Sequence, residues 1–129
     1  MTIFERIVAG EIPSYKIAED DNYLAFLDAF PLRRGHCLVI PKKATDYIFD
    51  IGDQEFIGLQ LFSKKVARAM DQVLDCERIG VAVIGLEVPH AHIHLVPING
   101  VADIDFSQPK LQISGDEMEK VASQIRAAL

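Results

Sequence analysis

His90-Ala91-His92-Ile93-His94-Leu95-Val96-Pro97 holds three of the four histidines in the chain. On a β-strand alternate side chains share a face. His90, His92 and His94 are therefore predicted to line one surface while Ala91, Ile93 and Leu95 enter a core. Pro89 and Pro97 bracket the segment and are expected to keep the strand short, since neither donates to a ladder. A row of imidazoles is a poor choice for a solvated strand. It suits the binding of an anion, or the movement of protons near neutral pH.

On the N-terminal side of this stretch, Arg78 to Ile84 reads as a strand that turns through Gly85-Leu86-Glu87-Val88-Pro89 into the histidines. From about Asp53 to Leu74 the period is helical: Phe56, Leu59, Phe62, Val66, Met70 and Val73 form one apolar stripe. Ile57 and Leu61 fall on the opposite, charged side, beside Lys64 and Arg68, and are candidates for a subunit contact. His36 to Ile40, closed by Pro41, is a further strand, as are Tyr15 to Glu19 and Tyr23 to Leu27 around a tight turn at Glu19-Asp20-Asp21-Asn22. Ile3 to Ala9 reads as a short helix stopped by Gly10, and residues 42–52 and 99–113 as irregular. Ser114-Gly115-Asp116-Glu117 spells a capping box that opens a last helix, predicted to bury Met118, Val121, Ile125 and Leu129. The predicted fold is α+β: a mainly antiparallel sheet of about five strands, one long helix packed on it, and short helices at the N- and C-terminal ends. A single domain over residues 1–129 is expected.

A net charge of −6 argues against nucleic acid or an anionic membrane as partner, so any phosphate ligand has to be held locally. No apolar run is long enough for a signal peptide or a membrane span, and a cytoplasmic location is expected. Cys37 and Cys76 have neither metal nor disulfide spacing and read as free thiols.

Two chemistries compete for the histidines. At ~3.3 Å per residue, His90 and His94 would sit about 13 Å apart on a regular strand, too far for all three rings to reach one zinc at ~2.0–2.1 Å. Two could ligate with outside help. A Cys37 nucleophile paired with His36 is weaker, because neighbours on a strand face opposite sides. Phosphoryl chemistry fits better: a neutral imidazole is a competent nucleophile, and protonated neighbours would supply positive charge. His92, flanked on both sides, is the expected attacker, with His90 and His94 donating to phosphate oxygens or the leaving atom.

The alternation from His90 to Val96 resembles the signature of the histidine triad (HIT) family, His-φ-His-φ-His-φ-φ with φ apolar. The likeness extends to Ile3-Phe4-Glu5-Arg6-Ile7-Val8-Ala9-Gly10-Glu11-Ile12-Pro13, to Ala25-Phe26-Leu27-Asp28, and to Gly35-His36 through Lys43. It is nearest to the bacterial, Hint-like nucleoside phosphoramidase branch. The resemblance implies a homodimer that binds a purine nucleotide or nucleoside phosphoramidate and cleaves at the α-phosphate through a nucleotidyl intermediate on His92, without a cofactor. It implies that His90, His94 and His36 complete the catalytic set. It also implies that Ile3, Phe4, Ile7 and Phe26 hold the base, and that the Asp28 carboxylate holds the ribose hydroxyls. Taken alone, Phe4 and Phe26 read as core and Asp28 as a turn residue. The chain departs from the family at Ile84-Gly85-Leu86-Glu87, where many members have a longer loop with asparagine and glutamine. It also has Thr2, Glu5 and Ala44 where zinc-holding relatives have ligands, so no metal is expected. A dinucleoside polyphosphate hydrolase and a non-catalytic nucleotide-binding scaffold are the alternatives.

Overall fold

Tyr23-Leu24-Ala25-Phe26-Leu27 and Cys37-Leu38-Val39-Ile40-Pro41 show no polar alternation, and every residue of both is buried. Strands of this kind need cover on both faces. The computed structural model describes residues 1–129 and shows what supplies that cover. Its elements are α1 (Ile3–Val8), β1 (Lys16–Glu19), β2 (Tyr23–Leu27), β3 (Cys37–Pro41), α2 (Asp53–Val73), β4 (Arg78–Ala82), β5 (Ile93–Ile98) and α3 (Gly115–Ala127). Short 3₁₀ turns lie at Ile48–Asp50 and Val101–Ile104. The five strands form one antiparallel sheet in the order β1-β2-β3-β5-β4.

One face carries α2 and α3. Leu59, Val66 and Met70 of α2 and Val121 and Ile125 of α3 pack there on Ala25, Val39, Ile93 and Leu95. The opposite face presents Leu24, Phe26, Leu38 and Ile40 to Phe4 of α1. The strand register places Phe26 opposite Leu38 and Leu38 opposite His94, so one cross-strand row leads from an aromatic ring to the triad. No helix is long and apolar enough to cross a membrane.

Four local expectations need correction. The histidine segment is not one strand: β5 begins at Ile93, residues 86–90 form a bend, and Ala91 and His92 are irregular. Continuing the β3–β5 register would set Pro41 against Ala91, but Pro41 has no N–H and the Ala91 N–H goes to Thr45 O (2.7 Å). Pro97 lies inside β5, opposite Ile79 of β4 and beyond the last residue paired with β3, where its missing N–H breaks nothing on that side. Ser114 caps α3 by accepting the Glu117 N–H, but the Glu117 carboxylate turns away to accept from Arg34 Nε (2.8 Å), leaving half a capping box. Leu129 is exposed, and Ala122 takes its predicted place in the core. The stripe on α2 buries Leu59, Phe62, Val66 and Met70 as expected, with Phe56 and Val73 partly buried at its ends.

Candidate active site

His36, His92 and His94 line one cleft of about 520 Å³ together with Ile3, Phe4, Ile7, Phe26 and Asp28. Eight of the nine residues expected at the site therefore meet there. The ninth, His90, does not face the cleft. It is fully buried, with Nε2 donating to Pro41 O (2.7 Å) and Nδ1 within 3.3 Å of Thr2 Oγ1. What it offers the site is its backbone carbonyl, which accepts from His92 Nδ1 at 2.7 Å.

The tautomers follow from these contacts. A carbonyl only accepts, so His92 carries its proton at Nδ1 and keeps a lone pair at Nε2. Leu32 N–H donates to His36 Nδ1 (3.0 Å), so the His36 proton sits at Nε2 and is donated to His94 Nδ1 (2.9 Å). His94 in turn must hold its proton at Nε2. Neither His92 Nε2 nor His94 Nε2 has a protein partner, and no buried polar side-chain atom is left unpaired, so both open to the cleft. The two rings lie 4.9 Å apart. One lone pair and one N–H thus face the same space.

Sequence reasoning had assigned positive charge to the neighbours of His92, and the surroundings oppose this. Burial takes His36 down to about 3 and His94 to about 4, and it also lowers His90. All three are neutral near pH 7. Asp28 is raised, chiefly by burial, even though Phe30 N–H donates to its Oδ1 (2.9 Å). That bond is the Asx turn expected of a turn residue. Its Oδ2 meanwhile lies 3.6 Å from His36 Nε2 inside the cleft, so a turn residue also lines the site. Cys37 is fully buried with its thiol pushed up, which makes it inert.

Asp28, His36 and His94 have donor atoms within 4.8 Å of one another, a spacing open to a metal. The Leu32 N–H places a proton on the His36 nitrogen that would face it. Within the trio His36 donates to His94 while Asp28 Oδ2 stands off at 3.6 Å, and a metal would have to displace the His36 proton first.

Gly35 precedes His36 with φ +95°, a conformation that favours glycine, and it turns His36 toward the Leu32 amide. At the other end of the site, Thr2 and Glu5 form the capping box of α1: Thr2 Oγ1 accepts the Glu5 N–H, and Glu5 Oε1 accepts the Thr2 N–H. This cap steadies the helix that carries Phe4, whose ring meets those of Phe26 (5.7 Å), His90 (5.7 Å) and His92 (5.0 Å). The Thr-x-x-Glu spacing was available in the sequence and went unread. Phe106 and Lys110, which also line the cleft, come from the connection read only as irregular, and no periodicity marks them.

The HIT domain profile matches residues 9–100. An adenosine 5′-monophosphoramidase from Saccharomyces cerevisiae is 37% identical over 98% of this chain and 82% of its own. A HIT-like protein from Bartonella henselae has a TM-score of 0.86 at 30% identity, covering 99% of this chain and 96% of that one. A zinc-bound histidine triad protein from Mycobacterium smegmatis has a TM-score of 0.82 at 31% identity, with 98% and 91% covered. The chain belongs to the HIT family.

Proposed function

We propose that the protein hydrolyses a nucleotide at its α-phosphate, with a nucleoside phosphoramidate as the leading substrate class. The observation that carries this reading is the pair of cleft-facing nitrogens, the His92 Nε2 lone pair beside the His94 Nε2–H, each fixed by a bond at Nδ1. In the first step His92 Nε2 bonds to the α-phosphorus. The bond to the leaving atom breaks, and that atom keeps the electron pair, hydrogen-bonded by His94 Nε2–H. An amine leaving group takes its proton from water. The N-linked His92 ring then bears a positive charge, which the His90 carbonyl stabilises through Nδ1–H. Water attacks the same phosphorus in the second step, Nε2 departs with its electron pair, and the proton goes to solvent. Ile3, Phe4, Ile7 and Phe26 form the slot for a purine base, and Asp28 accepts from the ribose hydroxyls.

The name of the yeast relative supports this substrate class. The short Ile84-Gly85-Leu86-Glu87 segment, without asparagine or glutamine, favours a second reading as a slow hydrolase or a nucleotide-binding scaffold. We further infer a homodimer, and one domain that includes α3, which packs on α2 and β1 beyond the matched segment. Turnover of a fluorogenic adenosine phosphoramidate, measured beside diadenosine polyphosphate and AMP binding, separates the readings. Release of the fluorogenic amine supports the hydrolase. AMP binding without turnover of either substrate supports the scaffold.

A further inference from the structure

We propose that Lys110 receives an anionic group of the substrate beyond the phosphoryl that His92 addresses, so that this cleft selects nucleotides carrying additional negative charge. The inference rests on the proposed nucleotide site and adds to it a specificity residue from the connection after β5.

The rings across the site follow one another. Phe4 lies 5.0 Å from His92, His92 lies 4.9 Å from His94, and His94 lies 4.7 Å from Phe106. With the phosphoryl at His92 and the leaving atom on His94 Nε2–H, the departing group lies beside Phe106, which packs on His94. It is also not far from Asp28, whose Oδ2 is 3.6 Å from His36 Nε2. Phe106 also edges His36 at 6.2 Å. Lys110 Nζ stands 5.9 Å over the Phe106 ring and donates to Phe106 O (2.7 Å) and Gln108 O (3.3 Å). An ammonium has three N–H groups, so one remains for a ligand. The strap is tied at both ends, by Asp105 accepting from Ser107 N and by Leu111 N donating to Pro31 O.

The charge inventory of the cleft gives this ammonium its importance. Lys110 is the one lysine or arginine lining it, against two carboxylates, Asp28 and Glu87. His36 and His94 are neutral, as described above, and the chain as a whole is at −6. An anionic ligand entering here meets a wall that is otherwise neutral or negative, so the single cation decides how much extra charge is tolerated.

The test is calorimetric binding of AMP and ADP to the whole protein and to its Lys110→Gln and Lys110→Arg variants. ADP is expected to bind more tightly than AMP, and the ADP-to-AMP affinity ratio should fall roughly fivefold or more in Lys110→Gln, as for one partly exposed charge-assisted bond. Lys110→Arg should restore most of the ratio. A ratio near one in the unaltered protein, equal loss for both nucleotides in Lys110→Gln, or binding of neither nucleotide overturns the proposal. Failure of the hydrolase reading looks different. There the ratio shifts with Lys110 while no phosphoramidate is turned over, whereas turnover that depends on His92 with an unmoved ratio removes only the role of Lys110.

Discussion

Leu32 N–H, Pro41 C=O and the carbonyl of His90 decide what each histidine ring does, because each fixes one ring nitrogen and so defines the other. Burial of rings held neutral in this way has a consequence for stability. His36 and His94 ionise at about 3 and about 4 in the folded chain, against 6.5 for an unhindered histidine. Below pH 6.5 the unfolded chain takes up protons that the folded chain refuses, so stability is fully present above that pH and falls as pH is lowered toward 3–4. Each unit of separation is worth about 1.4 kcal/mol. Urea unfolding at pH 7 and pH 5 should show a clear drop, and the drop should be smaller in His36→Gln. Equal loss in both proteins would remove His36 as a cause. The spacing of two residues was enough to place His92 and His94 on a common face. It misplaced His90, because the event that ends the strand is a missing amide at Pro41, 49 residues away in sequence. The protons of His36, His90 and His94 could not be read, since groups brought near by the fold set them.

At the level of elements, the stripe on α2 announced itself through its period, and the apolar runs of β2 and β3 showed that they were covered on both faces. How closely the helix approaches the sheet was not visible. A methyl group placed on Gly58 would lie 2.0 Å from Tyr23 Oη and 2.8 Å from its Cζ, and the Tyr23 hydroxyl donates to Glu55 O (2.9 Å). Alanine in mid-helix ordinarily gains about 1 kcal/mol over glycine. Here that gain is overridden, because the ring is held by its hydrogen bond and by Phe62 at 5.6 Å. Gly58→Ala is expected to lose about 1–3 kcal/mol in chemical denaturation. Adding Tyr23→Phe, which removes the clashing oxygen, should recover part of the loss. A stabilised Gly58→Ala protein would show that α2 stands further from β2 than described. The strap from Asp105 to Leu111 escaped the sequence reading for a different reason: its order comes from Asx and backbone bonds within an irregular path, and these leave no hydrophobic period.

For the whole molecule, the apolar side chains left outside the two cores are not scattered evenly along the chain. Ile57 and Leu61 on α2 are half or more exposed, as are Val81 on the edge strand β4 and Tyr47 and Phe49 before α2. β4 has a strand partner on one side only, which leaves its other backbone edge free to pair. A second copy related by a two-fold axis could cover that edge and the Ile57–Leu61 row together. Each such side chain buried contributes roughly 1.5–3 kcal/mol. Sedimentation velocity at micromolar concentration is expected to give a dimer for the unaltered protein and a shift toward monomer for Leu61→Asp. A monomeric unaltered protein would end the dimer proposal, and an unshifted Leu61→Asp would move the interface off α2.

His92 is the residue on which the proposed chemistry stands. Steady-state hydrolysis of an adenosine phosphoramidate should fall by up to about 10⁶-fold in a folded His92→Ala protein, as when a nucleophile is removed. His92→Ala turnover within tenfold of the unaltered protein would contradict the mechanism.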